Sequence, residues 1–130
     1  MIILHLDRKI VNIYIYTMWF IIYLVLEAIW ISIHYSYFKD FFTQVQHSPY
    51  HARIGSAIAC YAVLLFTLYF FIIRPKRSPL YAAILGFCLY SVYDLTNYAT
   101  LSRWTLYMTV TDILWGTFVF GATTWLYQSK

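Results

Sequence analysis

Charged residues are scarce in this sequence. Of its 130 residues, only 11% are charged and 62% are hydrophobic, whereas soluble domains carry about a quarter charged residues. A soluble fold needs more polar side chains than this to cover its surface, so the composition excludes that class. The formal net charge of +4 is too small to indicate a nucleic-acid-binding surface, and no nucleic-acid partner is expected.

Cysteine and the common catalytic motifs are scarce or missing as well. Cys60 and Cys88 lie in apolar stretches at different expected depths, so they are interpreted as packing residues rather than a disulfide. The sequence has no phosphate-binding loop, no G-x-S-x-G motif, no C-x-x-C pair and no histidine-rich cluster of the desaturase type. His47 and His51 are four residues apart, but Pro49 between them disfavours a regular helix, so no metal site is predicted. No cofactor and no catalytic residue can be identified.

Four apolar stretches are long enough to cross a bilayer. A helix needs about 20 residues to span about 30 Å of hydrocarbon, and the stretches cover residues 10–33, 54–73, 80–101 and 104–126. The first is too long for the apolar part of a signal peptide, so we expect it to be retained. The sequence predicts an all-α fold in which residues 1–130 form a single transmembrane domain. In this domain four transmembrane helices form a bundle with both termini on the same side.

The connections between these stretches differ in length. Residues 74–79 form a basic turn with two prolines, and Ser102-Arg103 is so short that the third and fourth helices must be antiparallel neighbours. Residues 34–53 form the longest connection and are rich in aromatic side chains, which are favoured in the lipid headgroup layer. One interpretation of part of this connection is a short interfacial helix.

Basic residues near the ends of the predicted spans predict the orientation. The side that holds both termini and the second loop carries six of them, namely Arg8, Lys9, Arg74, Lys76, Arg77 and Lys130. The other side carries three, namely Lys39, Arg53 and Arg103. The positive-inside rule therefore predicts an integral membrane protein with cytoplasmic N- and C-termini.

Three of the five acidic residues, Glu27, Asp94 and Asp112, fall inside predicted spans. An ionisable side chain at the bilayer centre costs about 2.5–3.5 kcal/mol on insertion scales. Counted from the outer ends of the predicted spans, all three lie about 9–12 Å below the outer surface. No Lys or Arg lies within a predicted span, so either some acids are protonated, or a bound cation or a rim arginine supplies the missing charge.

Helical spacing gives each acid neighbours on its own face. A tryptophan follows both Glu27 and Asp112 by three residues, and Asp94 has a tyrosine four residues before it and an asparagine three after it. The candidate ligand-binding residues are therefore Glu27, Trp30, Tyr90, Asp94, Asn97, Asp112 and Trp115. A structural alternative stays open, in which protonated acids join the helices through hydrogen bonds to Tyr90, Thr96, Asn97 and Thr109. The two tryptophans would then belong to the interfacial aromatic belt.

The second half of the chain carries a longer set of motifs. They are Tyr93-Asp94-Leu95-Thr96-Asn97, Ala99-Thr100-Leu101, Trp104 and Asp112-Ile113-Leu114-Trp115-Gly116. This set resembles a family of small membrane proteins known as domain of unknown function 2177. In that family aspartate is usual where this chain has Glu27, and proline is usual where it has Thr105. The resemblance implies four helices and shared motifs, and it implies no known activity.

Three functions are compatible with these observations. The first is transport or permeation of a proton, a cation or a small cationic solute through an outer-leaflet cluster of carboxylates. The second is a membrane-embedded enzyme that acts on lipid with one carboxylate as base and another as acid. The third is an accessory subunit whose acids pair with another membrane protein. Since four short helices barely enclose a pathway, we expect a homo-oligomer or a membrane-protein partner in the lipid bilayer.

Overall fold

Four α-helices make up most of the chain in the computed structural model, which describes residues 2–129 and the side chains of residues 9–129. In chain order they are α1 (Ile2–Gln46), α2 (Ile54–Leu68, continued by one π-helical turn over Tyr69–Ile73), α3 (Pro79–Thr100) and α4 (Leu106–Gln128). No strand occurs in this described part of the chain. The predicted fold class, an all-α membrane bundle of four helices, is confirmed.

Three helices are long and apolar enough to cross a membrane: α1 from Lys9 onward, α2 with its π-helical turn, and α3. The 23 residues of α4 suffice in length, but five of them are threonines, which lower its hydropathy. The hydroxyls of Thr109, Thr117 and Thr124 each donate to the backbone carbonyl four residues earlier, so the helix satisfies them internally. The membrane crossing of α4 and the limits of each span stay predictions.

The first helix is much longer than predicted, and this corrects the interpretation of residues 34–53 as a connection. α1 continues past Ile33 to Gln46, so no separate interfacial helix forms there. Its 45 residues extend about 68 Å at 1.5 Å per residue, more than twice the hydrocarbon thickness of about 30 Å. Polar residues after Ile33 suggested a break, but no glycine or proline precedes Pro49. Nothing therefore interrupts the backbone hydrogen bonds of this helix.

The C-terminal part of α1 packs against the start of α4. Phe41, Trp104 and Met108 are buried together, and Phe38 and Phe42 pack against them. The rings of Phe41 and Trp104 meet edge to face, with 5.1 Å between their centroids, a geometry favoured by aromatic pairs. This small aromatic core holds the extension of α1 over the connection between α3 and α4.

The helix ends have local causes. Pro79 occupies the first turn of α3 after an extended Ser78, where its missing N–H is not needed. The Thr105 hydroxyl caps α4 by accepting a hydrogen bond from the Met108 N–H at 3.1 Å, and such a cap satisfies one of the unpaired donors at a helix start. His47 follows α1 with a φ of 55°, the left-handed conformation that commonly ends a helix.

The C-terminal end of α4 lies beside the basic turn between α2 and α3. Gln128 Nε2 donates a hydrogen bond to the Arg77 carbonyl at 2.6 Å. Two of the residues used to predict the orientation, the side chain of Arg8 and the whole of Lys130, lie outside the described residues. The placement of both termini on one side of the membrane, and of that side in the cytoplasm, therefore stays a prediction.

Glycines bring α3 and α4 into backbone contact, and these two helices form the most extensive helix pair. A Cβ atom added to Gly86 would lie 2.3 Å from the Gly116 carbonyl oxygen and 2.9 Å from Phe120 Cβ. Ala82, one turn before Gly86, is fully buried. Without a hydrophobic driving force between helices in lipid, such close approach is a main source of helix association.

The main hydrophobic core joins all four helices on the N-terminal side of Glu27 along α1. Its largest fully buried side chains are Tyr23, Leu68, Val119 and Phe120. The rings of Tyr23 and Phe120 meet edge to face at 5.7 Å. Because the interior of the bundle is filled with packed side chains here, an internal cavity next to Glu27 can lie only on its other side.

Substituting Gly86 with alanine should destabilise the bundle, because the new methyl group cannot fit against Gly116. Overpacking of this kind costs about 1–3 kcal/mol. The matched control is Gly55→Ala, since a Cβ on Gly55 meets no atom within 4 Å. Unfolding of both variants in detergent, followed by circular dichroism, checks this. Equal stability of the two variants would contradict the close α3–α4 packing.

Candidate functional site

Glu27 is the acceptor at the centre of the site. Its side chain is 5% exposed and receives one hydrogen bond from each of the other three helices. The Tyr90 hydroxyl of α3 donates to Oε1 at 3.1 Å, and Trp115 Nε1 of α4 donates to the same oxygen at 3.2 Å. The Tyr61 hydroxyl of α2 donates to Oε2 at 3.2 Å. Three converging donors compensate a buried carboxylate for the water it has lost.

A glycine sets the position of one of these donors. A Cβ atom on Gly116 would lie 2.1–2.6 Å from ring atoms of Tyr90, so the phenol reaches Glu27 only because residue 116 has no side chain. The Tyr90 hydroxyl also lies 3.5 Å from that of Tyr23, which is fully buried. The motif Asp112-x-x-Trp115-Gly116 therefore combines an acid, a tryptophan that donates to Glu27 and a glycine that leaves space for the second donor, Tyr90.

The two tryptophans form a stacked pair rather than an outer belt. The Trp30 and Trp115 rings are nearly parallel, with centroids 4.5 Å apart and an interplanar angle of 5°. His34 lies one turn after Trp30 on α1, and the centroids of the two rings are 3.9 Å apart. The His34 Nδ1 lies 3.0 Å from the Trp30 carbonyl oxygen. The stack fixes the indole of Trp115 in the orientation that lets its N–H reach Glu27.

Asp94 and Asp112 form a second, separate acidic group. The two side chains interact as close neighbours. Asp94 is fully buried, and neither of its oxygens receives a hydrogen bond in the described part of the chain. The indole N–H of Trp104 approaches Asp94, but it does not meet hydrogen-bond geometry and has no other partner among the described residues. Since carboxylates are acceptors only, a hydrogen bond between the two acids requires a proton on one of them.

A cavity of about 380 Å³ lies between the two acidic groups. Two acids line it, Glu27 and Asp112, together with the phenols of Tyr61, Tyr90 and Tyr93. The remaining wall is aromatic and aliphatic, including the Trp30–Trp115 stack. No lysine, arginine or histidine is among the lining residues within residues 9–129. The volume falls in the range of small-molecule sites, about 300–1,000 Å³.

Five of the seven residues predicted from the sequence line this cavity, namely Glu27, Trp30, Tyr90, Asp112 and Trp115. Asp94 lies behind Asp112 and does not line the cavity. Asn97 does not line it either, and its side chain interacts with Tyr93 instead of the acids. No group of three metal-ligating side chains is placed to hold an ion within the described residues. The role of all seven residues in binding a ligand stays a prediction.

Two features of the site were not predicted. Tyr61 donates to Glu27, and the only signal for it in the sequence is a phenol in the middle of an apolar helix. The hydroxyls of Thr96 and Thr109, which were considered as partners of the acids, instead donate to carbonyls of their own helices at 2.6 and 3.0 Å. Of these partners considered for the acids, Tyr90 does donate to one of them, and the two threonines do not. Whether the acids serve a purely structural role stays open.

The four-helix fold, its apolar helices and its buried carboxylates define a multi-pass membrane protein. More particularly, the chain belongs to the family described as predicted membrane protein (DUF2177), which matches residues 12–128. The match includes the acid of the first helix and the motifs of the second half, so the resemblance drawn from the sequence is confirmed. No curated protein and no solved structure matches the chain.

Removing the Tyr90 hydroxyl should cost about 1 kcal/mol of stability in detergent, the order of an interhelical hydrogen bond in a membrane protein. The cost of Tyr90→Phe should nearly vanish when Glu27 is already replaced by leucine, since the acceptor is then missing. Chemical unfolding of the two single variants and the double variant checks this. Tyr98→Phe, at an exposed tyrosine of the same helix, serves as the control. An equal cost in both backgrounds would exclude a stabilising Tyr90–Glu27 bond.

Replacing Asp94 with asparagine should keep or raise the stability of the bundle by about 1 kcal/mol. The amide N–H can donate to Asp112, which Asp94 cannot do without a proton, and the repulsion between two acids is removed. Asp40→Asn, at an exposed acid of α1, controls for the general effect of losing a negative charge. Comparison of unfolding midpoints checks the prediction. Clear destabilisation by Asp94→Asn alone would mean that the pair is held by a proton or a cation that asparagine cannot retain.

Proposed function

We propose that this membrane protein binds an organic cation in the cavity beside Glu27 and Asp112, as the binding step of transport or permeation. The observation that carries the proposal is the pairing of two cavity acids with an aromatic wall that has no basic side chain from residues 9–129. Such a cavity attracts positive charge and repels anions. The other function classes, an enzyme acting on lipid and an accessory subunit, become the outcomes that a negative result would favour.

The aromatic wall favours an organic cation over a bare metal ion or a proton alone. A cation near the faces of tryptophan and tyrosine rings gains about 0.5–2 kcal/mol per contact, and aromatic cages are a recurring solution for ammonium groups. Metal ions such as Mg²⁺ or Ca²⁺ require several oxygen ligands in a defined geometry. Here only Glu27 and Asp112 supply carboxylates to the cavity, and the other oxygens are those of tyrosine hydroxyls.

The donors around Glu27 support a site that a cation can enter and leave. All three hydrogen bonds to Glu27 come from neutral groups, so its negative charge is held in place and not neutralised by a fixed basic residue. Asp112 is partly exposed and is the second contact for the cation. Asp94 does not line the cavity, so it makes no contact with the cation in this proposal.

Passage across the whole membrane requires more than this cavity. On the N-terminal side of Glu27, packed side chains of the main core such as Tyr23 and Phe120 fill the bundle. A bound cation therefore passes either by rearrangement of the helices or along an interface with a second protein. For this reason the proposal includes a homo-oligomer or a membrane-protein partner. It also keeps both termini in the cytoplasm, as the basic residues predict.

Glu27→Gln should reduce uptake of a small organic cation into proteoliposomes at least tenfold. Loss of a charge-assisted contact costs about 1.5–3 kcal/mol, which corresponds to roughly 10–100-fold in affinity. Uptake of radiolabelled tetramethylammonium into liposomes of an uncharged glycolipid is the measurement, and Asp112→Asn should act in the same direction. Asp40→Asn removes an acid outside the cavity and should stay within about twofold of the wild type. No uptake by the wild type, or equal uptake by wild type and Glu27→Gln with folding intact, would overturn the proposal.

A further inference from the structure

We infer that the ligand is an amphiphile, with its ammonium group at Glu27 and Asp112 and its hydrocarbon chain in the groove between α1 and α2. This inference rests on the proposed function and names the class of molecule that the same site would bind. The occupant is a membrane lipid that carries an amine or quaternary ammonium headgroup.

The groove is a second hollow of about 700 Å³, and its wall is apolar. From α1 it is lined by Trp19, Phe20 and Leu24, and from α2 by one helical face that includes Ala57, Leu65 and Tyr69. No charged side chain lines it within the described residues. A hydrocarbon chain suits this surface, because neither the chain nor the wall needs hydrogen-bond partners.

Tyr61 is shared by the walls of the groove and the cavity. Its side chain lines both hollows, while its hydroxyl donates to Glu27 Oε2 at 3.2 Å. The phenol therefore has its polar end among the acids and its ring along the apolar groove. A ligand whose charged group lies beside Glu27 can therefore reach the groove along this ring.

The groove passes beside Tyr61 along both helices. On α1 it is lined from Leu24 back to Trp19, and on α2 from Ile54 through Tyr61 to Tyr69. Trp19 lies eight residues before Glu27, and Tyr69 lies eight residues after Tyr61, so each is about 12 Å along its helix from the Tyr61–Glu27 contact. Trp19 and Tyr69 stack at the far end, with centroids 5.9 Å apart. The groove thus offers apolar surface next to the acids at Tyr61 and has an aromatic pair at one end, which suits the hydrocarbon chain of a single-chain ammonium amphiphile.

The lining also argues against a helix of a second copy in this groove. Helices that pack closely in a membrane present small residues to each other along the contact. The α1 wall of the groove instead presents Trp19, Phe20 and Leu24, and the α2 wall, apart from Ala57 and Ala62, consists of large side chains as well. A flexible chain can follow such an uneven surface, whereas a helix cannot approach it closely.

Filling the groove tests the inference. The protein is held in nanodiscs of an uncharged glycolipid, which has no amine to compete, and binding of two radiolabelled probes is measured against empty nanodiscs. Dodecyltrimethylammonium carries both the charge and the chain, whereas tetramethylammonium carries the charge alone. Ala57→Phe places a ring in the groove. Ala59→Phe places the same ring on an exposed position of α2 that lines neither hollow.

Ala57→Phe should weaken binding of dodecyltrimethylammonium about tenfold, the effect of overpacking a site by one ring. It should leave tetramethylammonium within about twofold, and Ala59→Phe should change neither probe. Ala62→Phe, also in the groove, repeats the test if Ala57→Phe does not fold. If the filling variants bind both probes as the wild type does, or weaken both equally, the groove does not hold the chain and the inference is wrong. If the wild type does not bind tetramethylammonium at all, the proposed function itself fails.

Discussion

The hydrogen bonds that converge on Glu27 are the constraint on which the rest of the structure depends. A carboxyl group buried in a membrane must be compensated, because no water is available to solvate it. Here the compensation comes from α2, α3 and α4 together, through Tyr61, Tyr90 and Trp115. Each donor side chain has a fixed length. Because all three donors reach the same carboxyl group, they define how far α2, α3 and α4 lie from α1. The polar contact therefore specifies the arrangement, while apolar packing supplies most of the cohesion.

This arrangement is possible only because α3 and α4 approach each other closely. Gly86 lies against the backbone at Gly116, and the missing side chain of Gly116 leaves the room that the Tyr90 ring occupies. With any larger residue at these two positions, the donors of α3 and α4 would stand too far from Glu27 or in each other's way. The separate pair of acids, Asp94 and Asp112, lies across the same helix contact. The close contact between α3 and α4 thus positions both the donors to Glu27 and the pair of aspartates.

Much of the fold follows from the sequence, and the reasons are physical. Long apolar stretches can satisfy their backbone only as helices in a membrane, so four helices and a membrane class could be predicted. The short link after α3 made Asp94 and Asp112 neighbours. The end of α1 was misplaced because hydropathy falls after Ile33, whereas helix continuity depends on breakers, and none occurs before Pro49.

The site was only partly predictable, since spacing along one helix shows which residues share a face and not what that face meets. Trp115 could be connected to Asp112 by spacing, yet its N–H serves Glu27 on another helix. Tyr61 carried no motif at all. Asn97 shares a face with Asp94, but its side chain interacts with Tyr93, four residues earlier on the same helix, and does not line the cavity. Contacts between helices depend on rotation about each axis, which a single sequence does not encode in a simple pattern.

The length of α1 has a mechanical consequence. The helix is fastened near its middle at Glu27, with 25 residues from Ile2 to Leu26 on one side and 19 residues from Ala28 to Gln46 on the other. A stiff rod held at such a pivot moves its two ends in opposite directions when it tilts. A displacement at the Phe41–Trp104 contact is then accompanied by an opposite displacement at the Trp19–Tyr69 contact. The two ends of the bundle are in this way connected by one continuous helix.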